Sequence, residues 1–173
     1  METATAKTNS LATALINELK HEAIATRKCL ERIPAEKFDY KPHEKSMTFG
    51  QLAAHIAEMI GWITVTAKTT ELDFATGYTP FEPKTSGDLI EFFEKNMAEA
   101  IEGLENSSDE DLQQDWTLRN GEQVYFTMTR IQCMRDMCGN HIVHHRGQLT
   151  VYLRLNDIPV PSLYGPSADE GQM

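Results

Sequence analysis

Apolar residues recur at three- and four-residue steps in four separate stretches of this 173-residue chain. That period commits the chain to amphipathic helices, each of which must bury one stripe against another. The first stretch spans residues 10–33, with Leu11, Leu15, Leu19, Ala23, Thr26, Leu30 and Ile33 on one side. Ser10 is placed to cap it and Pro34 to stop it. The second spans residues 49–69 through Leu52, Ile56, Met59, Ile60 and Ile63, and Thr48 with Gln51 forms the pattern of a capping box at its start. The third spans residues 87–105 through Leu89, Phe92, Phe93, Met97, Ile101 and Leu104, opened in the same way by Thr85 and Asp88. The fourth is expected from about Thr127 to about Asn156, roughly 30 residues and so ~45 Å long.

The stretches between them read differently. PAEKFDYKPHEKS is a connector with two prolines, and ELDFATGYTPFEPKTSGD is a loop. SSDEDLQQ suits a short turn of helix. DWTLRNGEQVYFT carries the turn signal Asn120-Gly121 between β-branched and aromatic residues, and predicts a small hairpin or extended excursion. The proline-rich C-terminal segment is a tail, flexible over residues 166–173. The expected architecture is all-α: a single domain over residues 1–173, a four-helix bundle with long connectors and the small hairpin before the last helix. The long connectors leave the order of the helices in the bundle open.

Charge and composition narrow the function. A net charge of −10 and a pI near 5.0 leave no basic stripe for nucleic acid. No run approaches the roughly 18 apolar residues of a membrane span, and METATAKTNS lacks the apolar core of a secretory leader. Cys29, Cys133 and Cys138 are odd in number and contain no CxxC pair, so they read as free buried thiols in a reducing cytoplasm.

Three of the six histidines fall within NHIVHH. With a helical advance of about 100° per residue and His141 at zero, His145 lies at about +40°, Gln148 at about −20° and Tyr152 at about +20°. Met134, Met137 and Cys138 fall near the same line. His144 sits at its edge, and Arg146 and Arg154 point away, as surface or ion-pair residues. An i, i+4 pair of imidazoles can share one small metal ion, and a third ligand has to come from a facing helix. His55, among Leu52, Met59 and Trp62 in the second helix, is the candidate. His21 falls on an exposed face and His43 in a loop. On spacing alone, two partly buried, hydrogen-bonded histidines remain the competing reading. Cys133 lies off the line, and Cys138 is one turn removed from the histidine pair. The chain has no HExxH and no glycine-rich phosphate loop.

HIVHHRGQLTVYLRLNDIPVPSLYG at 141–165, together with SMTFGQLAAHIAEMIGW at 46–62, resembles the DinB-like family, which includes bacillithiol and mycothiol S-transferase-like proteins. The resemblance implies a four-helix bundle whose metal is held by His55, His141 and His145, with His144 outside the ligand set. It also implies a homodimer. The reaction it suggests joins a low-molecular-weight thiol to an electrophilic small molecule. The alternatives are a hydrolase using metal-activated water and a non-catalytic metal-binding stress-response protein. Zinc is the expected ion; nickel, iron and manganese also suit imidazole. Gln148 and Tyr152 are the candidate catalytic residues: they could orient a ligand, fix a histidine tautomer or pack in the core. One departure stands out. The family's terminal LNG reads Leu155-Asn156-Asp157, which leaves the helix end to Asn156 as the left-handed residue.

Overall fold

The computed structural model describes residues 10–171. The described residues are mostly helical, and three of the four expected helices match the apolar periods closely. Helix α1 is Ser10–Leu30, α2 is Phe49–Lys68 and α3 is Ser86–Glu105. Both expected capping boxes form: Thr48 accepts from the Gln51 amide and Thr85 from the Asp88 amide, with the reciprocal bonds in place. Helix α1 ends three residues early, in turns where the Ile33 amide bonds the Leu30 carbonyl at 3.2 Å. Ser10 is itself helical. Its hydroxyl and the Leu11 amide donate to Asp109, at 2.7 and 2.9 Å, so the α1 start is tied by a carboxylate from the short helix α4, Asp109–Leu112.

The last long helix is not a plain α-helix. It opens at Thr129, which caps α5 (Arg130–Cys133), widens into a π-helical segment (Met134–Asn140) and continues as α6 (His141–Leu155). It starts three residues later than expected because 127–129 belong to a strand. Its apolar line is also split. Met134 and Cys138 join the main core, while Cys133 and Met137 pack against a second cluster with Trp116 and Leu118. A plain 100° advance already sets Cys133 with Met137 on one face and Met134 with Cys138 on the next, so the division is a matter of two adjacent faces, and the π-helical segment, with i→i+5 bonding, is a separate feature of the same stretch. At the C-terminal end it is Asp157, with φ of 57°, that takes the left-handed conformation, and Asn156, with φ of −107°, does not. Aspartate tolerates that region better than most residues, so it can stand where a glycine commonly would.

Helix α1 packs on α3 and α6, and α2 packs on α3, α6 and the π-helical segment. The α2–α3 contact is close because small residues face it: a Cβ on Gly61 would lie 3.3 Å from the Asn96 side chain, which donates to the Ala57 carbonyl at 2.9 Å. Leu30, Phe49, Ile56, Leu89, Phe93 and Leu149 are among the fully buried core residues.

The expected hairpin is present as β2 (Asp115–Asn120) and β3 (Gln123–Thr129), antiparallel, with Trp116 opposite Met128. Asn120 pairs with Gln123, so the two turn residues are Gly121 and Glu122, with Gly121 at φ 58°. A third strand, β1 (Glu71–Asp73), runs parallel to β2 in a stretch that reads as loop. Three residues are too few to display an alternating pattern. The sheet covers the end of α2, where the Trp116 indole donates to Thr69 Oγ1 at 3.1 Å.

Two arginines of the last helix complete the frame. Arg154 pairs at the surface with Asp169, at 2.5 Å. Arg146 is not at the surface: its side chain is 1% exposed and lies between α1 and the C-terminal segment. It donates to Glu22 Oε2 at 2.6 Å and to Thr26 Oγ1 at 3.0 Å, and it meets the Tyr164 hydroxyl. The C-terminal segment is held further by Arg32–Glu170 and by Ile158, Val160 and Leu163 on the core. Among the described residues no helix is long and apolar enough to cross a membrane.

Candidate metal centre

Two elements bring three imidazoles together. The capping box fixes where α2 starts, and His55 follows on the side of α2 that faces α6. His141 and His145 stand one turn apart at the start of α6, immediately after the π-helical segment. The His55 ring centroid is 5.3 Å from that of His141 and 4.8 Å from that of His145, both edge to face. One nitrogen from each ring can be chosen so that all three lie within 4.8 Å of one another. Tetrahedral zinc–imidazole geometry puts ligand nitrogens about 3.3 Å apart, so small ring rotations suffice to surround one ion. All three residues are half-buried.

The hydrogen bonds set the tautomer of His141 and orient the His145 ring. His141 Nδ1 faces the Met137 carbonyl at 3.3 Å, and His145 Nδ1 faces Gln148 Oε1 at 2.7 Å. The Met137 backbone carbonyl only accepts, so His141 Nδ1 carries the proton and His141 Nε2 is a bare lone pair, while Gln148 can turn its oxygen or its amide nitrogen to His145 Nδ1. The two Nε2 atoms face one another at 2.7 Å, a distance bridged either by a proton on the neutral His145 or by a cation that takes both lone pairs. The charged imidazolium is disfavoured there: burial, with His141 and His144 nearby, lowers the His145 pKa against the opposing effect of Gln148. For His55, burial first and then His145 and His141 lower the pKa to about 4. Neutral imidazoles with converging lone pairs are what a divalent ion requires of its ligands.

A cavity of about 370 Å³ opens beside His145, lined by Ser46, Met47, Leu52, Gln148, Val151 and Tyr152. Gln148 is exposed in it and bonds His145. Tyr152 is more enclosed. Its hydroxyl donates to the Met47 carbonyl at 3.1 Å and its ring packs on Tyr40 and Phe49, so it braces the connector that forms the far wall. His144 is exposed, with its ring 4.9 Å from that of His145 and outside the cluster. His21 and His43 are exposed and are not part of the cluster. Cys29, Cys133 and Cys138 are free and buried, and burial raises all three thiol pKa values, so none supplies a thiolate.

Several features of this region lie beyond sequence reading. The connector supplies Ser46 and Met47 to the cavity. The loop after β1 is pinned to α2, with Tyr78 and the Phe81 amide donating to Glu58 at 2.9 and 2.7 Å. Glu58 lies one turn from His55, which was the available signal. The π-helical segment has no residue signature.

Fold and site together define a helical protein with a three-histidine centre that could hold a metal ion. The sequence model of the DinB family matches residues 1–172, and the chain belongs to that family. It is 28% identical over 152 residues to the uncharacterized protein YrdA of Bacillus subtilis (strain 168), covering 86% of this chain and 85% of YrdA. Its fold is similar to that of a DinB-like protein from Bacillus cereus ATCC 10987, with a TM-score of 0.69 and 24% identity over 88% of this chain and 97% of the other. A DinB-like protein of Bacillus subtilis, YjoA, gives a TM-score of 0.67 at 19% identity, covering 92% of this chain and 99% of that one.

Proposed function

We propose that this chain is a metal-dependent enzyme of the thiol S-transferase kind, built on a four-helix bundle, that joins a low-molecular-weight thiol to an electrophilic small molecule. His55, His141 and His145 hold one divalent ion, zinc by default, with nickel, iron and manganese as alternatives. The observation that carries this reading is the convergence of three imidazoles, His141 and His145 Nε2 2.7 Å apart and one nitrogen of His55 within 4.8 Å of them, on the edge of an open cavity. Such an ion lowers the pKa of a thiol or water bound to it and so supplies a nucleophile at neutral pH.

The chain's own residues do the rest. The Met137 carbonyl holds the tautomer of His141, and Gln148 orients the His145 ring. The Gln148 amide nitrogen, unengaged among the described residues, is available to orient a ligand. Met47, Leu52 and Val151 give the cavity apolar walls that limit water. Tyr152 is a positioning residue, acting through Met47.

The lining contains no aspartate or glutamate to serve as general base, so a thiol or a water would depend on the ion itself for deprotonation. An open cavity favours turnover over a closed, non-catalytic site. Three free thiols fit a reducing cytoplasm, and a homodimer is the assembly expected of the family.

The test is metal content by plasma mass spectrometry on tag-free protein and on His145→Ala. About one divalent ion per chain in the wild type, lost in the variant, is expected. Thiols are then screened against electrophiles. No retention of zinc, nickel or manganese overturns the metal site. Turnover that is indifferent to thiol overturns the transferase and leaves the hydrolase.

A further inference from the structure

A second cavity, of about 290 Å³, lies on the other side of the last helix from the histidines. Ile142 and Val143 line it, and they sit about 100° and about 160° around α6 from His141. Its floor is aliphatic: Leu19 from α1, Ile60 and Ile63 from α2, Leu104 from α3 and Met134 from the π-helical segment. Protein interiors rarely keep apolar space of this size. One wall is the π-helical segment itself, a conformation found in short pieces and often at functional sites. The two observations are independent and meet at the same place.

The depth decides what kind of molecule fits. Ile60, Ile63 and Leu104 are only 1–4% exposed, so a flat partner surface cannot reach them; a slender molecule entering between α1 and the last helix can. The mouth decides its polar end. Glu18 and Glu22 stand there beside Arg135, Asn140 and Tyr164. Arg135 is already paired with Glu18 at 3.2 Å, and Arg146 is consumed by Glu22, Thr26 and Tyr164. Both carboxylates keep acceptor capacity, because an ionised carboxylate takes about four hydrogen bonds. A chain of net charge −10 adds a field that draws donors and cations and repels anions.

We infer that this cavity is a binding site for a small aliphatic molecule with a hydrogen-bond-donating head, an amine or a hydroxyl, whose tail lies on Leu19, Ile60, Ile63 and Leu104 and whose head meets Glu18 and Glu22. The site is separate from the histidine cluster and does not depend on a metal.

The test is titration of the full, metal-free chain with hexylamine, hexan-1-ol and hexanoate, followed by amide NMR shifts at Leu15, Leu19 and Leu104. Saturable shifts with the amine and the alcohol are expected, with hexanoate about tenfold weaker or more. Ala23→Phe, which fills the cavity from its rim, abolishes the shifts. Glu18→Gln weakens the amine and spares the alcohol. No saturable shift from any probe overturns the site, as does unchanged binding in a folded Ala23→Phe. If that variant does not fold, Ala23→Leu fills less of the space and is read the same way. Hexanoate binding as tightly as hexylamine overturns the assignment of the head.

Discussion

Arg146 shows what a single residue can cost and hold. It sits in HHRGQL at an angle that points away from the histidine face, and sequence alone leaves it as surface or ion pair. The structure shows that the pointing is right and the surface is wrong, because α1 and the C-terminal segment cover that side too. A buried charge left without its partner is expensive. Glu22→Leu alone, which strands the guanidinium, is therefore expected to cost about 3 kcal/mol or more in urea unfolding. The double variant Glu22→Leu with Arg146→Met should cost less than Glu22→Leu, since it strands no charge. A larger loss in the double variant would mean the pair is worth more than its desolvation. His55 makes a second residue-scale prediction, for the metal-free protein in chelator. Its imidazole, depressed first by burial and then by His145 and His141, takes a proton only near pH 4, against 6.5 when exposed. Above pH 6.5 it is neutral folded and unfolded, and costs nothing. As pH falls from 6.5 toward 4 the unfolded chain binds a proton that the folded chain refuses, so stability falls across that window. His55→Gln should remove that component of the slope, read as urea midpoint against pH; an unchanged slope would place the titration elsewhere.

At the scale of elements, what was legible was whatever has a local chemical cause. Thr48 with Gln51 and Thr85 with Asp88 announce helix starts because hydroxyl and carboxyl or amide groups must satisfy orphan amides within three residues, and both boxes form. Thr48→Ala should therefore cost about 1 kcal/mol in thermal or urea unfolding. Gln51→Ala should cost less, because it leaves the Thr48 hydroxyl bond intact. Equal losses would show the two halves of the box to be inseparable. What was not legible has no local cause. Strand β1 exists because β2 lies beside it across more than forty residues of chain, with Leu72 beside Leu118. The π-helical segment is announced by no spacing of residue types: Met134 with Cys138 in one core and Cys133 with Met137 in the other are i, i+4 pairs that a plain α-helix also sets on adjacent faces. The same segment ends where His141 begins, so the histidine pair lies wholly within α6, where its one-turn spacing holds.

At the scale of the molecule, the candidate site joins parts of the chain that nothing covalent holds together. His55 comes from α2 and His141 and His145 from α6, and the histidine pair itself was legible because four residues make one helical turn. The cavity beside it was not, since Ser46 and Met47 come from a connector whose path depends on Tyr152 and Phe49 packing against it. An ion held by both helices binds the folded chain and not the unfolded one, so it must stabilise the whole fold by mass action. At a free zinc concentration of 100 times the dissociation constant, that linkage amounts to about 2.7 kcal/mol. The unfolding midpoint should rise accordingly with zinc and return to its starting value with chelator. His145→Ala and His55→Ala should each lose the rise, because either change leaves two ligands, and two imidazoles do not close a site. Retention of the full rise in His55→Ala would mean that His141 and His145 bind zinc without α2. The helices would then share a core and no metal, and the two Nε2 atoms would bind the ion within α6 alone.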